Sequence, residues 1–205
     1  MRYYPINIDT LDRKVLIAGG GKVAERKLKT LLDTEFIFDI VSKSFTQTIL
    51  DLKEEFNDRI DLIKMNIDES ISVDEYDYII IATDDLKANE LLEEKAKSAN
   101  IMYVNSAVKS DSSFLMNKVI EKSNIIVSIS TSGKSPTLTK IVAAEIEALL
   151  DKLDTKKIEK LFLLRAQLVK KESKNISKII QKLYYKDIEY IDRYLEELNE
   201  DNNRI

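Results

Sequence analysis

Six residues near the start of the chain, Gly19-Gly20-Gly21-Lys22-Val23-Ala24, constrain its fold more than any other stretch. They follow the apolar run Val15-Leu16-Ile17-Ala18 and precede apolar residues at helical spacing, Val23, Leu28, Leu31 and Leu32. Strand, glycine turn and helix in that order is the context that gives a short glycine motif meaning. Gly19 can take a backbone conformation closed to other residues, and Gly21 brings no side chain to hold off a pyrophosphate. Ala24 stands where a third glycine is common and still lets the helix pack close to the strand. The helix N-terminus then offers free N–H groups and a partial positive charge to phosphates. An ordinary tight strand-to-helix turn would use the same residues; the flanking elements favour dinucleotide binding.

Composition narrows the chemistry. The 205 residues, 44% of them hydrophobic, allow one large domain or an ordinary domain with appendages. No segment approaches the roughly 18 continuous apolar residues of a membrane span. Met1-Arg2-Tyr3-Tyr4-Pro5 lacks the long apolar region of a signal peptide, so a cytoplasmic protein is expected. The chain has no cysteine, which excludes disulfides and thiolate catalysis, and no histidine, the commonest metal ligand. Acid–base steps therefore fall to a carboxylate, lysine, tyrosine or water. A net charge of −4 argues against nucleic acid as the main partner.

Along the chain, Tyr3 to Ile8 is a short apolar lead-in expected beside the first strand. Val15 to Ala18, Phe36 to Val41, Tyr78 to Ala82 and Ile101 to Val104 read as strands, with Ile60 to Lys64 a candidate edge strand. Helical spacing fills the gaps at 23–33, 45–56 and 86–98. In a dinucleotide fold an acidic residue at the tip of the second strand commonly binds the adenosine ribose. Asp39 lies inside that strand rather than at its tip, and position alone favours a strand-edge charge facing solvent. The tip is Ser42-Lys43-Ser44, whose hydroxyls and ammonium suit either a ribose or a 2′-phosphate, so the residues leave NAD and NADP both open. Thr83-Asp84-Asp85, after the most convincing buried strand, reads as a helix cap, a ligand-facing cluster, or both.

The rhythm then changes. Phe114 to Ile120 and Asn124 to Ser130 read as a hairpin turning at Glu121-Lys122-Ser123. Ser130 to Pro136 is a polar loop entering a helix, either a capped turn or a loop whose N–H groups and Lys134 face an anion. From Asp151 the pattern is helical and charged, with apolar faces at Leu161, Leu164 and Leu168 and at Ile176, Ile179, Ile180 and Leu183. Lys170, Lys171, Lys174 and Lys178 read as a solvated face. The acidic, Asn-rich end from Asn199 to Asn203 reads as disordered.

In order and spacing, several motifs together resemble the precorrin-2 dehydrogenase and sirohydrochlorin ferrochelatase family of siroheme synthesis. They are Tyr4-Pro5-Ile6, the glycine stretch with Arg26-Lys27, Ala82-Thr83-Asp84-Asp85 with Asn89, Val104-Asn105, and Ile129-Ser130-Thr131-Ser132-Gly133-Lys134-Ser135-Pro136. The resemblance covers residues 1 to 150 closely and the helical tail loosely. It implies an α/β fold: a Rossmann-type parallel-sheet NAD-binding domain (1–112), a small α+β dimerisation region (113–150) and a helical C-terminal domain (151–205). It implies NAD-dependent oxidation of precorrin-2 to sirohydrochlorin by a homodimer, with ferrous iron insertion in some members. The cofactor-binding residues it implies are Gly19, Gly20, Gly21, Lys22, Val23, Ala24, Lys43, Ser44, Thr83 and Asn105. Substrate carboxylates would meet Lys109, Ser130, Thr131, Lys134 and Arg165. The family usually places an aspartate a few residues after the Val-Asn pair; here Val108 stands there, and the nearest following carboxylate is Asp111. Asp111 is the candidate catalytic acid. Its displacement keeps a chelatase-only protein and a dinucleotide-binding regulatory module open as alternatives.

Overall fold

A computed structural model describes residues 1–108 and 112–200. The chain divides into two compact units, Met1–Met116 and the part from Asn117 onward.

The first unit alternates strands and helices: β1 (Lys14–Ala18), α1 (Lys22–Leu31), β2 (Ile37–Ser42), α2 (Gln47–Glu55), β3 (Ile60–Lys64), β4 (Tyr78–Ile81), α3 (Leu86–Ser98) and β5 (Met102–Asn105). All five strands run parallel in the order β3-β2-β1-β4-β5. The continuous apolar character of β1 follows from its central place. Val15 and Ile17 face a core completed by Leu28 of α1 and Ile49 of α2, whereas Leu16 and Ala18 face one completed by Leu92 and Ala96 of α3. Each face takes alternate residues, so a strand covered on both sides has place for a polar one only where a partner meets it.

Parts of the expected layout are corrected. The lead-in does not pack beside β1: Tyr4 and Ile6 are 78% and 66% exposed, and only the Tyr3 hydroxyl reaches inward, donating to the Ser112 carbonyl at 3.2 Å. Asp39 is not a solvent-facing edge charge. It lies half-buried between β1 and β3 and accepts a 2.8 Å hydrogen bond from the Tyr76 hydroxyl. Burial, and then that carboxylate, push the Tyr76 phenol above its ordinary range. Phe114 and Met116 form no strand and pack on the first unit's core, Phe114 edge-on to Tyr78 with ring centres 6.0 Å apart.

In the second unit, β6 (Lys118–Lys122) and β7 (Ile125–Ile129) pair as an antiparallel hairpin. Its turn is Ser123-Asn124, one step later than expected, with φ of 47° and 62°. Two successive left-handed residues give a turn whose twist matches the strands it joins, which keeps Glu121 and Lys122 in the ladder. Helix α4 (Pro136–Leu150) begins as a capped turn: the Ser135 hydroxyl accepts from Leu138 N–H, and Pro136 occupies the first helical position.

Three further helices, α5 (Thr155–Lys170), α6 (Ile176–Tyr184) and α7 (Ile188–Glu200), close over Leu161, Leu164, Leu168, Leu183 and Ile191. Lys171 donates to the Leu198 carbonyl near the end of α7, a favourable place for a cation. Asn199, expected to be disordered, belongs to α7; residues 201–205 lie outside the described residues. Among the described residues no helix is long and apolar enough to cross a membrane.

Candidate dinucleotide site

The carboxyl ends of β1, β2 and β4 open into a cleft of about 650 Å³. Gly19, Gly20, Gly21, Lys22 and Val23 form its floor, Ser42 to Thr46 one wall, and Ala82 to Asp85 the other. Met65 and Ile67, just past β3, add an apolar edge, and Ala107 lies on the rim. The strand order reverses between β1 and β4, where open α/β sheets hold their ligands.

Each glycine of the floor has a distinct reason. Gly19 has φ of +127°, and a Cβ there would stand 2.4 Å from the Ala82 carbonyl oxygen. At Gly20 a Cβ would come within 2.0 Å of the Ser44 carbonyl oxygen and 2.9 Å of the Ser42 side chain. At Gly21 a Cβ would meet nothing within 4 Å. Packing thus requires the first two, and the third leaves open space over the helix start. Gly21 caps α1 without any side-chain hydrogen bond, so the first-turn N–H groups keep their capacity for an anion. Ala24 is fully buried against the sheet, where a larger side chain would hold α1 away. These features fit a pyrophosphate.

The other cofactor candidates are placed as follows. Lys43 and Ser44 are exposed at the end of β2 and line the cleft. Thr83 lines the opposite wall; its Oγ1 accepts from Asp85 N–H at 3.1 Å, and its carbonyl accepts from Asn89 Nδ2 at 3.2 Å. Asp85 caps α3 through Lys87 and Ala88 N–H and also lines the cleft, so both roles expected of that cluster coincide. Asn105 is buried, and its side chain serves the loop: Oδ1 accepts from Ala107 and Val108 N–H, and Nδ2 donates to Glu93 at 2.8 Å. Ala107, not Asn105, reaches the cleft.

Lys22 is 81% exposed and pairs with Glu25 at 3.0 Å. Glu25 is nearly buried beneath Lys22 and Lys29, which with the Thr46 hydroxyl hold its carboxyl down at about 2. A carboxylate whose folded pKa is depressed stabilises the fold fully above its unfolded pKa, near 4.5, and loses that contribution as pH falls toward 2. Glu25→Gln should therefore be less stable than wild type at pH 7, with the gap closing between pH 4.5 and 2. Urea unfolding followed by circular dichroism across that range checks it.

Lys109 and Asp111 lie outside the described residues. Ser130, Thr131, Lys134 and Arg165 belong to the second unit. There Ser130 Oγ accepts from Ser132 N–H, and Thr131 Oγ1 bonds Ser135 and Thr139. Lys134 and Arg165 extend into solvent.

Met65, Ile67 and Ala107 were not singled out by sequence as site residues. Ser42 carries its signal as part of the tip of β2 and lines the cleft, and Asn89 carries its own as the polar residue that accompanies Ala82-Thr83-Asp84-Asp85; it is buried and bonds the Thr83 carbonyl. A more open hollow of about 480 Å³ beside α3 lies away from the strand ends, and its Lys95 is engaged by the carbonyls of Glu69 and Ile71.

A five-stranded parallel sheet in this order, with a glycine turn at its switch point, defines a Rossmann-type nucleotide-binding domain. The family model described as "Putative NAD(P)-binding" matches residues 6–118. The chain is 32% identical over 187 residues to the "Putative precorrin-2 dehydrogenase" of Methanocaldococcus jannaschii, covering 88% of this chain and 89% of that one. It is 32% identical over 158 residues to the siroheme synthase of Blochmanniella pennsylvanica, but over only 31% of that protein's length. Against the siroheme synthase of Vesicomyosocius okutanii it is 33% identical over 151 residues, again about a third of the relative, 32%. Among solved structures, "SirC, precorrin-2 dehydrogenase" superposes with a TM-score of 0.80 at 19% identity, covering 96% of this chain and 99% of that one, a likeness of fold. The chain belongs to the NAD(P)-binding family of precorrin-2 dehydrogenases and siroheme synthases.

Proposed function

We propose that this protein is a cytoplasmic precorrin-2 dehydrogenase, which oxidises precorrin-2 to sirohydrochlorin with NAD. The observation that carries this reading is the open space above Gly21 at the head of α1, within a chain that matches a dehydrogenase-named relative over most of both lengths. Bound NAD would supply the hydride acceptor. The chain's own part is to hold and orient: Gly19, Gly20, Gly21, Lys22 and Val23 around the pyrophosphate, Lys43 and Ser44 at the adenosine ribose, and Thr83 across the cleft. Fixing two reactants side by side removes much of the entropic barrier that a hydride transfer meets in solution. Precorrin-2 carries many carboxylates, so basic and hydroxyl groups should receive it; we assign Lys109, Ser130, Thr131, Lys134 and Arg165 to that role.

The test is anaerobic incubation with fresh precorrin-2 and NAD, following NADH formation and the sirohydrochlorin spectrum. No NADH without metal would overturn the dehydrogenase assignment. Ferrous iron is added in a second stage, and Asp111→Ala is expected to impair that stage, where a carboxylate is needed to take protons from the macrocycle. Unchanged iron insertion by this variant would remove Asp111 from the mechanism.

We assign the region 113–150 to homodimer formation. Val119 and Ile126 on the hairpin and Leu138, Ile141 and Leu149 on α4 are 47–60% exposed. Leu138, Ile141 and Leu149 follow helical spacing on one face, and such an apolar surface is unusual unless another subunit covers it. Ile141→Glu should turn a dimer into a monomer by light scattering, with the helical circular dichroism retained. A dimer that survives this change would place the interface elsewhere.

A further inference from the structure

We infer that Asp84 is the catalytic base of the oxidation, accepting the proton that leaves precorrin-2 as hydride goes to NAD; this rests on the dehydrogenase reading. A two-electron oxidation of the macrocycle breaks one C–H bond with its electron pair, which forms the new C–H bond of NADH. It also releases one proton from a neighbouring C–H or N–H bond, whose electrons close the new double bond. The hydride has its acceptor in NAD, and the proton needs one of its own. The sequence holds no histidine, so a carboxylate is the side chain suited to the task.

Among the described residues two carboxylates line the cleft, Asp84 and Asp85. Asp85 is committed: its Oδ1 accepts from Lys87 and Ala88 N–H at 3.0 and 3.2 Å and so caps α3. Asp84 is exposed and, among the described residues, takes neither a hydrogen bond nor an ion pair. The lysines of the lining, Lys22 and Lys43, can only donate as ammonium groups, and Lys22 is held by Glu25. Position selects the same residue. With the adenosine ribose at the tip of β2 and the pyrophosphate at the head of α1, a dinucleotide that crosses the switch point carries its nicotinamide to the side of β4. The end of β4 lies against the glycine turn, since the Ala82 carbonyl oxygen is the atom a Cβ at Gly19 would strike. Asp84 follows Ala82 by two residues, at most about 7 Å of chain. The backbone that carries it is held next door, where the Thr83 carbonyl accepts from Asn89 and Thr83 Oγ1 accepts from Asp85 N–H.

Asp84→Asn keeps the shape of the side chain and removes its basicity. With the full chain, fresh precorrin-2 and NAD under anaerobic conditions, kcat for NADH formation is expected to fall at least about a hundredfold, with KM for NAD little changed. The wild-type kcat should decline on acidification, whereas the residual rate of Asp84→Asn should not. Asp84→Glu, which moves the carboxylate by one methylene, should recover part of the loss. Two measurements independent of turnover accompany these. Isothermal titration of Asp84→Asn should give an NAD affinity within about threefold of wild type, and its urea unfolding midpoint should be unchanged, because Asp84 has no partner to lose. A fall in kcat smaller than about a hundredfold, or a loss of NAD affinity that matches it, would overturn the assignment while leaving the dehydrogenase in place. A wild-type protein that binds NAD and forms no NADH would overturn the proposed function, and this role with it.

Discussion

Gly20→Ala is expected to lose a large part of the first unit's stability, whereas Gly21→Ala one residue later should fold normally and lose dinucleotide affinity. The difference follows from what each Cβ would meet. At Gly20 the clash is with a backbone carbonyl at 2.0 Å, and backbone cannot rotate aside as a long side chain can. That carbonyl belongs to Ser44, between the end of β2 and Thr46, whose own N–H donates to Gly20 oxygen at 2.9 Å and whose hydroxyl caps α2. Moving Ser44 therefore loosens the start of α2 as well as the cleft wall. Overpacking a tight site costs about 1–3 kcal/mol, and the loss of a cap about 1 kcal/mol more. Gly19→Ala should be comparable, because strain at a φ closed to alanine, about 1–3 kcal/mol, adds to its own carbonyl clash. Against the roughly 5–15 kcal/mol typical of a whole domain these are large losses.

Gly21→Ala separates packing from function. Its methyl group enters empty space, so unfolding midpoints should stay within about 0.5 kcal/mol of wild type. The same methyl would occupy the approach of a pyrophosphate to the head of α1, so NAD affinity should fall at least tenfold, about 1.4 kcal/mol. Chemical denaturation and calorimetric titration of the three variants give both readouts. A Gly21→Ala protein that binds NAD as wild type does would move the phosphate site away from this helix.

These glycines also mark what can be read from sequence. Gly19 and Gly21 were legible because the strand–turn–helix order assigns them roles through neighbours a few residues away. Gly20 was named with them, but its packing constraint was not legible, since it comes from Ser42 and Ser44, which reach it only once β2 has paired with β1. The sheet was legible for a similar reason: strands buried on both faces carry continuous apolar runs, and β4, and β1 after Lys14, have nothing else. Asp39 misled because its partner, Tyr76, lies 37 residues ahead on a loop with no pattern of its own. The hairpin was legible as a pair of strands, but its turn was not, since Ser123 carries no glycine signal for a left-handed conformation. Thr131, Ser135 and Pro136 were legible as a helix entry, because caps are written in adjacent residues. Met65 and Ile67 carried no signal, as an edge strand's tail faces a ligand only after the order of the sheet is known.

Asn105→Ala is expected to destabilise the first unit by roughly 2–4 kcal/mol, the cost of unpairing several buried or half-buried polar groups at once. Asn105 joins three pieces of structure. Its own N–H donates to the buried Ser112 hydroxyl, its Oδ1 collects two loop N–H groups at 3.0 and 3.1 Å, and its Nδ2 meets Glu93 of α3. The amide orientation is fixed by these partners, because a carboxylate can only accept and the loop N–H groups can only donate. Removing the side chain leaves the backbone bond to Ser112 in place but strands the two loop N–H groups and Glu93, and frees Ala107 on the rim of the cleft, so NAD binding should weaken with stability. Asn105→Asp keeps the acceptor for the loop but sets a second carboxylate against Glu93, where a 2.8 Å hydrogen bond had been. Two such groups share a proton readily and ionise together only at a cost, so the pair's folded pKa is raised above its unfolded value. The sign is then opposite to that at Glu25: the variant should approach wild-type stability at low pH and lose it as pH rises through the carboxylate range. Thermal unfolding of Asn105→Ala and Asn105→Asp between pH 4 and 8 distinguishes these behaviours. A pH-independent deficit in Asn105→Asp would mean that Glu93 does not face this side chain in solution.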